Sequence, residues 1–182
     1  MFLSLGGEAP LLYGANAVTK TVQPLEIEQP DLYSNYLAAS QHWYSVTGQT
    51  LRRYGSGEAQ TVTTLVELPI AANAIGTQPA LAVDVTEHYL AYVSRINYSE
   101  KIRLLDITTN QETVLYESEP NVHLANLTWS PDGTELAFTS NAGKIITLTL
   151  AGAETYTPIS LPFHEFSFVS WITLNEIAAV VS

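Results

Sequence analysis

Tryptophan recurs at a fixed distance in this chain, and its surroundings recur with it. Trp129 and Trp171 lie 42 residues apart, and a serine follows each 11 residues later, Ser140 and Ser182. The apolar pattern leading into them repeats as well: Leu124-Ala-Asn-Leu127-Thr-Trp129 parallels Phe166-Ser-Phe168-Val-Ser-Trp171. Upstream, Leu90-Ala91-Tyr92-Val93-Ser94 matches Leu136-Ala137-Phe138-Thr139-Ser140 at a distance of 46 residues. Lys101-Ile-Arg-Leu-Leu105 matches Lys144-Ile-Ile-Thr-Leu148 at 43. A period of this length restricts the chain to stacked copies of one unit, because a lone unit cannot bury both of its faces.

The unit is clearest from Leu127 to Leu150. Ser130-Pro131-Asp132-Gly133 is a turn: proline presets φ, and Asp and Gly tolerate the conformations that follow. Runs rich in β-branched and aromatic residues flank it, as strands require. Asn141-Ala142-Gly143 makes a second turn into a third strand, Lys144 to Leu150. In the preceding copy Gln111 to Tyr116 supplies a fourth, outer strand. A weaker copy lies earlier, with Tyr36–Ala39 expected as its second strand, Thr50–Tyr54 as its third and Thr61–Val66 as its fourth. Turn signals come every ~8–12 residues, and no helical 3.6-residue periodicity of useful length competes with them.

Trp-Ser-Pro-Asp-Gly at 129–133, together with Leu-Ala-Phe-x-Ser at 136–140, resembles the repeat of the TolB-like, WD-repeat-like β-propeller family over roughly residues 33–182. The resemblance implies an all-β propeller of four-stranded antiparallel blades forming a single domain, residues 1–182. It also implies a rigid, non-catalytic platform for protein contacts, and it favours an extracytoplasmic location, periplasmic or secreted. Three internal blades are expected. A fourth, composite blade would combine strands from Ala9–Gly14 and Ala17–Val22 with strands from the C-terminal end, which removes an exposed strand edge. Three arrangements fit: a four-bladed ring closed by one chain, two chains joined as half-rings, and part of a larger propeller.

Composition narrows the partners. Seven basic residues face 18 acidic ones, a formal net charge of −11. That balance opposes nucleic acid, whose phosphates need Lys and Arg, and it disfavours an anionic membrane surface. Arg52-Arg53 is the one adjacent basic pair. With no cysteine, disulfides, thiolate catalysis and Cys-ligated metals are excluded. No apolar run reaches the ~20 residues of a spanning helix, so no membrane insertion is expected. Met1-Phe-Leu-Ser-Leu5 lacks a basic n-region and is not read as a signal peptide.

Residues with chemical potential are few. There is no Gly-x-Ser-x-Gly elbow, phosphate loop or dinucleotide fingerprint, so no catalytic, cofactor-binding or metal-binding residue is expected and no cofactor is assigned. His123, His164 and Glu165 precede the tryptophan strands and are the candidate ligand contacts at a channel mouth. Asp84, Glu87 and His88 occupy the turn equivalent to Ser-Pro-Asp-Gly and are expected to be a polar hairpin turn rather than a three-ligand metal loop. Trp129, Trp171 and Phe138 are expected in the core. Tyr33, Tyr36, Tyr44 and Tyr54 crowd the first third and form a candidate interface, since tyrosine buries large area and keeps a polar tip. The expected function is a scaffold or protein-interaction module, self-association included. The alternatives are a metal-assisted, lactonase-like hydrolase and the accessory propeller of a peptidase resembling prolyl oligopeptidase.

Overall fold

A computed structural model of the chain describes residues 12–16, 21–25, 35–38, 42–47, 50–55, 62–67, 81–150, 159–160, 166–174 and 176–181. All their regular structure is β. The strands are β1 (Leu12–Asn16), β2 (Thr21–Leu25), β3 (Asn35–Ala38), β4 (His42–Thr47), β5 (Thr50–Gly55), β6 (Val62–Glu67), β7 (Leu81–Val83) and β8 (Tyr89–Ile96). They continue as β9 (Ser99–Asp106), β10 (Gln111–Glu117), β11 (Leu124–Trp129), β12 (Glu135–Ser140), β13 (Lys144–Thr149), β14 (Ile159–Ser160), β15 (Phe166–Thr173) and β16 (Glu176–Val181).

Three sheets are four-stranded antiparallel meanders: β3-β4-β5-β6, β7-β8-β9-β10 and β11-β12-β13-β14, here blades 1, 2 and 3. β15 and β16 pair as the first two strands of a fourth. The first strands of successive sheets touch, β3 against β7, β7 against β11 and β11 against β15. Sheets that meet at their first strands and fan apart at their last form the blades of a propeller.

Side-chain alternation explains the Leu-Ala-Phe-x-Ser signature. Successive strand residues point to opposite faces. Leu136 and Phe138, both fully buried, face blade 2, where they meet Ala91, Val93 and Ile102. Ala137 faces the other way, against Val169 of β15 and the partly buried Trp171, Ile177 and Ala179. Blade 2 repeats the rule: Leu90 and Tyr92 pack on Leu51 of blade 1, and Ala91 turns toward blade 3. A large residue on one face and a small one on the next lets flat sheets stack without voids. The ring of Tyr116 tilts over that of Phe138 at a centroid distance of 5.1 Å, which closes the outer part of the same joint.

Two expectations need correction. Tyr36 to Ala38 belongs to β3, the first strand of blade 1, and not to its second. The second strand is His42–Thr47, whose Thr47↔Thr50 pairing leaves only two residues between β4 and β5. Leu37-Ala38-Ala39-Ser40 imitates a second-strand signature, but the aromatic and β-branched run His42-Trp-Tyr-Ser-Val-Thr has the greater strand propensity. The N-terminal strands lie about three residues later than expected; among the described residues β1 pairs with β2 and β15 with β16.

Candidate functional site

The inner strands β7 and β11 each end in a hydrogen-bonded turn. In blade 3, Ser130 accepts from the Glu135 amide (2.9 Å) and donates its hydroxyl to Asp132 (2.6 Å). Asp132 accepts in turn from the Thr134 amide (3.1 Å). The Ser130 hydroxyl, then the Thr134 amide, hold the Asp132 carboxyl below the usual carboxylate range. Gly133 sits at φ 72°, where glycine carries no Cβ penalty.

Blade 2 builds the same turn from different residues. Asp84 alone accepts from the Tyr89 amide (2.6 Å), the Thr86 amide (3.0 Å) and the Thr86 hydroxyl. One buried carboxylate thus does the work of Ser130 and Asp132 together, which is why Asp-Val-Thr-Glu-His can replace Ser-Pro-Asp-Gly. Glu87 takes the position of Gly133, at φ 57°.

The tryptophans join the blades. The Trp129 indole N–H donates to the carbonyl of Ala82 on β7 (3.1 Å). The Trp171 indole N–H donates to the carbonyl of Thr128 on β11 (3.2 Å). Ala82 and Thr128 are the residues before equivalent positions of their own strands, so the bond is the same rung repeated one blade on. Each ring buries apolar area at the joint while its N–H donates to a main-chain carbonyl of the neighbouring blade.

Between β7 and β11, beside this rung, lies a groove of about 470 Å³. Leu81, Val83, Val85, Leu127, Trp129 and Pro131 supply its apolar walls. Thr128 and Ser130 are its polar members, and Ser130 is committed to the adjoining turn. No described lining residue is acidic, basic or histidine. Val85, 50% exposed, stands at the rim.

Buried carboxylates clamp both joints of blade 2. Glu87, its side chain 7% exposed, accepts from the His42 amide (3.2 Å), the His42 Nδ1–H and the Tyr44 hydroxyl (3.1 Å) of blade 1. Glu100, its side chain 10% exposed, accepts from His123 Nδ1–H (2.9 Å) and the Leu124 amide (2.6 Å) at the start of blade 3. Ser118 ties the intervening crossover to Glu100: its amide donates to the Glu100 carbonyl (2.8 Å) and its hydroxyl accepts from the Glu100 amide (2.9 Å). A third polar cluster lies on the face of blade 2 toward blade 1. There the Tyr92 hydroxyl and the Arg103 guanidinium (3.3 Å) share Glu112, and Arg103 Nε donates to Ser94 (3.0 Å). Burial first, then the Glu112 hydrogen bond, pushes the Tyr92 phenol well up. Burial and then the charge of Glu87 do the same to Tyr44.

Of the residues singled out from sequence, His123 stands directly before β11, bound to Glu100 at the end of the strand away from the groove. His164, Glu165 and Tyr33 lie outside the described residues, as do the side chains of Tyr36 on β3 and Tyr54 on β5. Tyr44 is fully buried in the joint between blades 1 and 2 and presents no surface to an outside partner. Asp84 serves its own turn while Glu87 reaches across to blade 1. Among the described residues no three His, Asp or Glu side chains gather as a metal site. Sequence reasoning missed the groove rim and the role of Glu100. The one available signal for Glu100 is an acidic residue at the start of a strand otherwise patterned as core.

No family model and no curated protein sequence matches the chain. Solved structures do. TolB from Acinetobacter baumannii superposes with a TM-score of 0.59 at 14% identity, covering 88% of this chain and 39% of that one. A chain of a nidogen/laminin complex superposes with a TM-score of 0.66 at 14% identity, covering 94% of this chain and 64% of that one. The tricorn protease does so with a TM-score of 0.57 at 10% identity, covering 90% of this chain and 20% of that one. The chain therefore spans less than two thirds of each. What it shares with them is the β-propeller fold, the TolB-like architecture among them. Among the described residues no helix is long and apolar enough to cross a membrane.

Proposed function

We propose that the chain is a non-catalytic protein-binding platform that uses the groove between β7 and β11. One observation carries the proposal: the groove is walled by apolar side chains and an anchored tryptophan, with no titratable group among its described lining residues. Hydrolysis needs a base, a nucleophile or a metal within reach of the bound substrate. An apolar concavity with a few fixed polar atoms suits an extended peptide or a protein loop. The nidogen/laminin structure supports the reading by analogy, as a propeller found in a protein complex. An extracytoplasmic location goes with it, on the strength of the TolB-like resemblance.

A second reading, the accessory propeller of a larger peptidase, draws support from the fold shared with the tricorn protease. The two readings share the groove and differ in what lies beyond this chain.

Peptide-display selection on the immobilised protein tests the platform. Val85→Glu places a charge at the exposed rim, where an altered side chain costs little stability. Selected peptides are expected to bind the variant at least ~10-fold more weakly, about 1.4 kcal/mol, at an unchanged melting temperature. Binders indifferent to Val85→Glu, or catalytic ester or phosphoester hydrolysis by the wild-type protein, would overturn the proposal.

A further inference from the structure

We infer that the groove between β7 and β11 takes a short apolar run of a partner protein that carries a lysine or arginine at one end, with the cation seated against the turns. The inference rests on the groove reading above and adds the chemistry of the occupant. Leu81, Val83 and Val85 form one wall and Leu127, Trp129 and Pro131 the other. Each set takes every second residue along its strand and into the turn that follows. Five residues of extended chain span about 13 Å, so an extended run of four or five residues matches the length of the walls.

The two turns meet at one end of this groove, and that end is acidic. A Cβ built on Gly133 would stand 3.5 Å from Val85 Cγ1 and 3.8 Å from Asp84 Oδ2. Asp132, exposed, directly follows Pro131 of the groove wall. Asp106 lies opposite Tyr89, where the β7–β8 turn ends, and Glu135 opens β12 beside the other turn. The Thr109 amide and the Ser130 hydroxyl hold the carboxyls of Asp106 and Asp132 below the usual range, so both are charged at neutral pH. His88 stands beside Asp106 at this end, its carbonyl accepting from the Ile107 amide (2.8 Å).

The lysines and arginines of blades 2 and 3 stand elsewhere. Residues 81–150 hold four: Arg95, Lys101, Arg103 and Lys144. Arg95 lies opposite Glu100, Lys101 opposite Ser94 and Lys144 opposite Ser140, at the ends of the strands away from the two turns. Arg103, in mid-strand, is bound to Glu112 and Ser94. The two blades are therefore polarised along their strands. Carboxylates at the mouth of a low-dielectric cleft focus their field into it and draw cations. An acidic segment would meet like charge there, and a neutral one would gain nothing from the field. The formal charge of the whole chain, −11, acts in the same sense.

The sign of a charge placed at the rim tests this. Val85→Glu and Val85→Lys remove the same apolar contact and add opposite charges. Synthetic copies of peptides selected by display on the wild-type protein are expected to carry an apolar run with Lys or Arg at one end. Both variants should bind them more weakly, Val85→Lys at least ~3-fold more weakly than Val85→Glu at low salt. In about 1 M salt, where the screening length is ~3 Å, that gap should close. The same peptide with its Lys or Arg replaced by Gln should no longer tell the two variants apart, which completes a double-mutant cycle. Selected peptides that are neutral or acidic, or that bind Val85→Lys as well as or better than Val85→Glu, would overturn the inference and leave the groove standing. Peptides indifferent to both variants would remove the groove reading and this inference with it.

Discussion

At the residue scale, the informative atoms are the two indole nitrogens. A tryptophan that only filled space could be replaced by phenylalanine at the cost of a little volume. Trp129 also satisfies the Ala82 carbonyl, and Trp171 the Thr128 carbonyl. Trp129→Phe keeps most of the packing and strands a buried carbonyl, so it is expected to lower unfolding stability by about 1–3 kcal/mol. Trp129→Ala, which also opens a cavity, should cost about 3–5 kcal/mol. Urea unfolding followed by circular dichroism separates the two, with unchanged m-values showing that the native state is otherwise intact.

At the scale of the element, the turn that ends β7 and the turn that ends β11 are one hydrogen-bond pattern written in two ways. Blade 3 divides it between Ser130 and Asp132, and blade 2 concentrates it in Asp84. Asp84→Ser keeps an acceptor for the Tyr89 amide but loses the arm that holds Thr86, and is expected to destabilise by about 1–2 kcal/mol. Adding Thr86→Asp recreates the blade 3 arrangement and should recover most of that loss. A double-mutant cycle measures the coupling directly, and additive losses would show that the two turns are not equivalent. Glu87→Gly removes the positive-φ strain but also the clamp on His42 and Tyr44. The clamp holds several partners against one strained dihedral, so a net loss is expected.

At the scale of the molecule, stability is bounded by pH from both sides. Asp106, Asp132 and Glu117 have carboxyls held below the usual range, by the Thr109 amide, the Ser130 hydroxyl and the Lys101 ammonium respectively. A depressed carboxyl contributes above its unfolded pKa and is lost as pH falls through the folded one, so stability declines below about pH 4. Tyr44 and Tyr92, which both lie in the joint between blades 1 and 2, are raised. They stay protonated in the folded chain while the unfolded chain ionises, so stability falls as pH rises past about 10. Each contributes a slope of up to about 1.4 kcal/mol per pH unit there. Unfolding measured from pH 9 to 11 is expected to show that slope in the wild type and a shallower one in Tyr92→Phe. An identical slope in both would remove Tyr92 from the account.

Period, strand alternation and turn chemistry are legible in the amino-acid order, because they are local properties of the backbone and of residues a few positions apart. The alternation of Leu136, Ala137 and Phe138 assigns them to opposite faces of a strand, and Ser-Pro-Asp-Gly specifies its own turn. Which blade each face meets is a matter of tertiary packing. The same packing turns Glu87 and Glu100, charged residues on a turn and a strand, into clamps across both joints of blade 2, and it withdraws Tyr44 from the surface. Those outcomes depend on residues some 20 to 50 positions apart coming within a hydrogen bond of each other. Contacts at that range follow from how whole sheets stack, and no stretch of adjacent residues encodes them.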